Sequence, residues 1–199
     1  MEHGGNEIYY LTGTGNSLKI AKDLADRLGK TTLSSMPRSV GKIEGRIVGF
    51  VFPIYFARPP VFVQEFVERS MFGEIEYLFL IGNGGGLFGT GLKILETQLN
   101  EKGLTVHSGF LVGMPGNHPK IASMQKKTHE AYFAREKERI NEIARIVSNM
   151  GAHGVETNLG PLGRFFSHLA FRGQWELSKA HRLDEALRVT ERCVGCGTC

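Results

Sequence analysis

Two short runs constrain this chain more than anything else in it: RIVGFVF at 46–52 and YLFLIG at 77–82. Continuous apolar stretches of this length suit strands buried on both faces, as in parallel sheets covered by helices. Around them, apolar runs alternate with amphipathic stretches as far as residue 150. Residues 7–11 read as a strand, a weaker strand lies at 30–35, and another covers 105–113. From Ser17 to Leu28 the residues Leu18, Ile20, Ala21, Leu24, Ala25 and Leu28 recur at helical spacing, and Gly29 closes that helix. Pro59 and Pro60 open a second helix that runs to about Ser70. Further helices are read at about 88–101 and 123–149. This alternation predicts an α/β fold, a doubly wound parallel sheet of five strands with helices on both faces. Such sheets bind ligands outside the carboxyl ends of their strands, near the point where strand order reverses. The loops after residues 11, 52, 82 and 112 are therefore the places to look for function.

A chain of 199 residues can form one ordinary domain with a short extension. With 41% hydrophobic and 22% charged residues it falls in the globular class. No apolar run reaches the roughly 20 residues of a membrane span. The start, MEHGGNE, lacks the basic and apolar pattern of a signal peptide, so the expectation is a cytoplasmic chain. No cysteine precedes Cys193, so no disulfide framework is expected. The net charge of +4 is mild. Lys120, Lys126, Lys127, Arg135, Lys137 and Arg139 face Glu130, Glu136 and Glu138 across one stretch. That stretch reads as a solvated helix face, or as a patch for an acidic redox partner or a nucleic acid. No motif that reads nucleic acid is present. Past residue 150 the pattern changes: GAHGVETNLGP reads as a linker, and a short helix is read within 162–180.

The loop after the first strand is Thr12-Gly13-Thr14-Gly15-Asn16-Ser17. At a helix N-terminus, free N–H groups and the helix dipole attract an anion, and glycines let the backbone wrap it. The four hydroxyl and amide side chains add donors. No lysine stands in the loop, so the nucleotide-triphosphate pattern GxxxxGK[ST] is absent. Neutral donors suit a phosphate monoester; a hydroxyl-capped helix start is the plain structural alternative. The run YLTGTGNSLKIA resembles the phosphate loop of flavodoxins. That resemblance covers about residues 5–150 and implies a flavodoxin-like sheet of order 2-1-3-4-5. It also implies that Thr12 to Ser17 hold the phosphate of FMN.

On the same resemblance, Pro53, Ile54, Tyr55 and Phe56 border the flavin ring. Tyr55 is the leading candidate to stack on it and Phe56 the second, while Arg58 is a candidate for the pyrimidine edge. The third loop, Asn83, Gly84, Gly85, Gly86, Leu87, Phe88 and Gly89, contains GxGxxG. A dinucleotide fingerprint normally sits at the first strand, and no acidic residue follows the strand near 105–112. Backbone contact with the flavin through Asn83, Gly84, Gly85, Gly86 and Phe88 is the reading adopted, with a plain turn as the alternative. The fourth loop, Met114 to His118, borders the same cleft, and His118 is a candidate titrating group.

All three cysteines close the sequence, as Cys193, Cys196 and Cys199. Thiolates at this spacing can wrap one iron–sulfur cluster, but a complete four-cysteine site needs a fourth. A zinc site completed by a histidine such as His181, or free thiols, are the alternatives. The pairing with a flavodoxin-like domain resembles flavodoxin–ferredoxin fusion proteins. The loops FPIYFARPP and GMPGNHP resemble that group's versions, except that Phe56-Ala57 stands where the group tends to have Gly-Gly. The resemblance implies three parts: an FMN domain at 1–150, a linker and helical extension at 151–192, and the start of a ferredoxin-type motif at 193–199. The ending is read as a truncation, with a 4Fe–4S cluster only if the protein continues beyond Cys199. The implied function is an FMN-binding electron carrier passing electrons between a donor and iron–sulfur clusters. An FMN-dependent NAD(P)H:quinone-type reductase and a non-catalytic phosphate-ligand module are the alternatives. Partners are redox proteins or small molecules, not nucleic acid, and a homodimer is left open.

Overall fold

The computed structural model describes residues 5–39, 41–86, 88–116 and 126–159. The readings placed on His118, on the helix within 162–180, on His181 and on Cys193, Cys196 and Cys199 lie outside the described residues. In chain order the elements are β1 (Asn6–Tyr10), α1 (Asn16–Leu28), β2 (Thr31–Ser35), β3 (Lys42–Pro53), α2 (Val61–Arg69) and β4 (Met71–Gly84). They continue with α3 (Gly91–Glu101), β5 (Ser108–Gly113), α4 (Lys126–Ser148) and β6 (His153–Val155). All strand pairs are parallel, in the order β2-β1-β3-β4-β5-β6. The order of the first five strands matches the expectation. The sixth strand does not: a three-residue edge pairs with β5 where a linker was read.

Alternation along β3 explains the double winding. Val48, Phe50 and Phe52 point to one face with Tyr9, Leu78 and Leu80, and there α2 and α3 bury Val63, Phe66, Leu92, Leu95 and Leu99. Ile47 and Val51 point to the other with Ile8, Phe79, Ile81 and Phe110, covered by Ile20 and Leu24 of α1 and Ile140 and Ile143 of α4. Each such burial stabilises the fold by about 1.5–3 kcal/mol. The strands β3 and β4 start earlier than the apolar runs suggested. The first residues of β3 alternate exposed and buried, with Lys42, Glu44 and Arg46 outward, and those of β4 are exposed or half-buried up to Glu76, so both carry a half-solvated pattern. Among the described residues no helix is long and apolar enough to cross a membrane.

The chain leaves β1 for α1 and β2 on one side, then returns to β3 on the other. Strand order therefore reverses between β1 and β3, which opens a crevice at their carboxyl ends.

Candidate functional site

A cavity occupies that crevice. Its walls are Thr12, Gly13, Thr14, Asn16 and Ser17 from the first loop, and Pro53, Ile54 and Tyr55 from the second. Asn83, Gly84 and Gly85 come from the third, and Pro115 and Gly116 from the fourth. The four loops singled out by strand ends thus meet at one place. The volume of this half-open cavity is about 60 Å³. That exceeds the ~10–15 Å³ needed for one water but is far below the ~300 Å³ of a typical small-molecule pocket. A small group can be enclosed, and a larger body attached to it must lie on the open rim.

The first loop turns at Gly15, which is at φ 95°, a left-handed conformation that costs glycine little. A Cβ there would meet nothing within 4 Å, so the conformation, not crowding, calls for glycine. The Gly15 N–H donates to Thr12 Oγ1 at 3.0 Å, which folds the loop over itself. No side chain caps α1, and no acidic residue stands in its first turn. The N-terminal N–H groups of α1 and the positive end of its dipole thus meet no protein anion there. Lys19, in the first turn of α1, is engaged elsewhere: it pairs with Asp23 and lies 2.7 Å from Glu136 on α4. Burial works against its charge, but the bonds from Asp23 and Glu136 outweigh that and hold the ammonium above its ordinary range. The cradle is therefore built from neutral donors.

The loops brace one another. Asn16 Nδ2 donates to the Pro115 carbonyl at 3.0 Å, tying the first loop to the fourth. Met114 N–H donates to Gly84 O at 2.8 Å, tying the fourth to the third. Ile54 N–H donates to Asn83 O at 2.8 Å, tying the second to the third. Inside, Asn83 Nδ2 donates to Ser17 Oγ at 2.8 Å and to Phe52 O at 3.0 Å, with Asn83 and Ser17 both 1% exposed.

The second loop is a tight hairpin turn. Tyr55 and Arg58 exchange both backbone hydrogen bonds at 3.0 Å, and Phe56 and Ala57 between them sit at φ 49° and 61°. Both central residues are left-handed, which is a turn normally given to Asn-Gly or Gly-Gly. The expected glycine pair is thus replaced by two residues that adopt the glycine-favoured conformation under strain of order 1 kcal/mol each. Ala57 is buried against Gly89, where an added Cβ would come within 2.2 Å of the Ala57 Cβ. Phe56 points out at 76% exposure and Tyr55, at 41%, forms a wall of the cavity.

Not every residue named from the sequence lines the cavity. Gly15, Gly86 and Arg58 do not, and Phe56 stands clear of it at the turn's tip. Phe88 packs in the core beside α3, with its ring under Gly84. Periodicity cannot separate an aromatic that turns inward from one at the rim, so from the sequence Phe88 reads as part of the loop. Conversely, the sequence reading missed Asn158. Its Oδ1 accepts from Gly89 N–H at 2.8 Å and its Nδ2 donates to Gly86 O, clamping the glycine loop from beyond β6. Nothing local to NLG announces that role.

No protein-family model matches the chain, and neither does any curated protein. Among solved structures, a short-chain flavodoxin associated with a PDU bacterial microcompartment is similar at 16% identity and TM-score 0.51, covering 73% of this chain and 97% of that one. Flavodoxin 2 from Bacillus cereus, in its oxidised form, aligns at 13% identity and TM-score 0.47, covering 73% and 98%. An azoreductase from Bacillus anthracis aligns at 9% identity and TM-score 0.45, covering 70% and 98%. Identities this low speak to fold alone, and the first of the three carries that weight. The fold is flavodoxin-like.

Proposed function

We propose that the chain is an FMN-binding electron-transfer protein. The observation that carries this reading is the cavity at the β1/β3 crevice, where the uncapped start of α1 and neutral side-chain donors converge. The cradle fits a phosphate monoester: it offers free N–H groups, the hydroxyls of Thr12, Thr14 and Ser17, no competing carboxylate in the first turn of α1, and room for a small anion. The open rim, walled by Tyr55, Gly84 and Gly85, fits a flat ring too large to be enclosed. Bound there, a flavin supplies the ability to take two electrons and release them singly. In the protein's part of that work, Thr12, Thr14 and Ser17 would hold the phosphate, and Tyr55, Gly84 and Gly85 would border the ring.

We propose further that the electrons pass to or from iron–sulfur clusters; Cys193, Cys196 and Cys199 would serve as cluster ligands only if the protein continues beyond Cys199 and supplies a fourth. The test has two steps. Apoprotein titrated with FMN is expected to shift the flavin's visible band and quench its fluorescence; an unchanged spectrum would end the proposal. The loaded, dithionite-reduced protein is then mixed with an oxidised 4Fe–4S ferredoxin, and cluster bleaching is expected. No bleaching, together with steady NAD(P)H oxidation when a quinone is supplied, would move the assignment to a reductase.

A further inference from the structure

Asn83 is the penultimate residue of strand β4, buried, and its amide nitrogen has two hydrogens to give. One goes to the Phe52 carbonyl at 3.0 Å, the other to Ser17 Oγ at 2.8 Å. A carbonyl oxygen only accepts, so the Phe52 contact fixes which end of the amide faces β3. Turning the amide over would bring two oxygens together in a buried place, at the cost of an unsatisfied pair. The nitrogen therefore faces Ser17 as well.

A serine hydroxyl has one hydrogen and two acceptor positions. Where its oxygen receives a donor it must aim its own hydrogen elsewhere. Among the described residues no acceptor takes that hydrogen, and Ser17 is a wall of the cavity. Loop hydroxyls usually rotate to suit whatever approaches them. This one is buried, and one of its two roles is already assigned.

We propose that Asn83 is a positioning residue that holds the Ser17 hydroxyl as a fixed donor toward the cavity, making the cradle selective for a phosphate over a neutral group. The proposal rests on reading the cavity as a phosphate cradle. It assigns Asn83 a role through Ser17, with the Phe52 carbonyl only fixing which way its amide faces, and not through contact with the flavin ring. The same contacts explain why an acid would not serve at this position. A carboxylate at 83 would accept from Ser17, turn the hydroxyl away from the cavity and add a negative charge behind it.

The test compares FMN with riboflavin, which lacks the phosphate, on the purified full chain. In Asn83→Asp, FMN affinity is expected to fall about 100-fold, while riboflavin affinity changes less than about threefold. Ser17→Ala is expected to lower FMN affinity about 10- to 100-fold and to leave riboflavin unaffected. In the Ser17→Ala background, Asn83→Leu is expected to cost FMN no more than about twofold, because the residue acts through Ser17. If Asn83→Asp does not fold, the Ser17→Ala and Asn83→Leu cycle decides alone. Wild type binding FMN and riboflavin equally would overturn the cradle reading itself. Wild type preferring FMN, with Asn83→Asp weakening both ligands equally or Ser17→Ala leaving their ratio unchanged, would overturn this inference and leave the cradle standing.

Discussion

The β5–β6 edge of the sheet and the β1/β3 crevice use their polar groups in opposite ways. At the β5–β6 edge, charges are closed on one another. Arg139 of α4 pairs with Glu142 and Glu156 and lies 5.7 Å over the Phe110 ring. Glu156 also accepts from Leu111 N–H at 2.8 Å and lies 2.9 Å from His153 Nε2. At the β1/β3 crevice the groups are uncharged, the backbone is strained at Phe56 and Ala57, and the helix start is uncapped. Hydrogen bonds that satisfy each other hold a fold; donors left facing a cavity hold a ligand. The contrast separates residues whose loss should cost stability from residues whose loss should cost binding.

Substitutions that ignore this division should fail in a set order. Gly89→Ala is the harshest, because φ is +55° and the new Cβ would strike Ala57 at 2.2 Å. It should cost about 2–4 kcal/mol of stability in denaturant unfolding, with the second loop displaced. Thr14→Ala should leave stability within about 0.5 kcal/mol. It should weaken FMN by about 1.5–3 kcal/mol, read as a 10- to 100-fold rise in Kd by fluorescence titration. Equal losses of stability and binding would break the contrast.

Glu156→Gln should show the reverse, about 1–2 kcal/mol of stability lost and FMN affinity unchanged. Burial alone would raise the Glu156 carboxyl, but the Leu111 N–H, His153 and Arg139 outweigh it and hold it below the ordinary carboxylate range. A lowered folded value means that the contribution is present above about pH 4–5, where the unfolded group is ionised. It is lost as pH falls through the folded value. Wild type should therefore lose more stability on acidification than Glu156→Gln, and parallel pH profiles would contradict the role given to that carboxylate. The smallest effect is Phe56→Gly, expected to gain about 0.5 kcal/mol, since relief of left-handed strain slightly exceeds the added chain entropy. Ala57→Gly should show no such gain, because it also removes the buried Cβ that packs on Gly89.

Legibility in the sequence followed the range of the interactions. The apolar runs at 46–52 and 77–82 announced β3 and β4 because burial on both faces leaves no polar alternation. Their charged beginnings, Lys42 to Arg46 and Glu74 to Glu76, looked like loop for the same reason. The edge strand His153–Val155 carries no pattern of its own and is held by pairing with β5. At the crevice, Thr12 to Ser17 stood out through composition. The ties from Asn16 to Pro115 and from Asn158 to the Gly86–Gly89 loop span 99 residues and about 70 residues of chain, and no spacing rule reports such contacts. The left-handed pair Phe56-Ala57 was hidden because neither residue is glycine.

The central claim is that the start of α1 holds a phosphate. Backbone amide resonances of the isotope-labelled protein test it most directly. Adding FMN should shift the amides of residues 13–17 strongly, whereas riboflavin should move Tyr55, Gly84 and Gly85 and leave residues 13–17 in place. Amides at 13–17 that respond alike to both ligands, or to neither, would contradict the account.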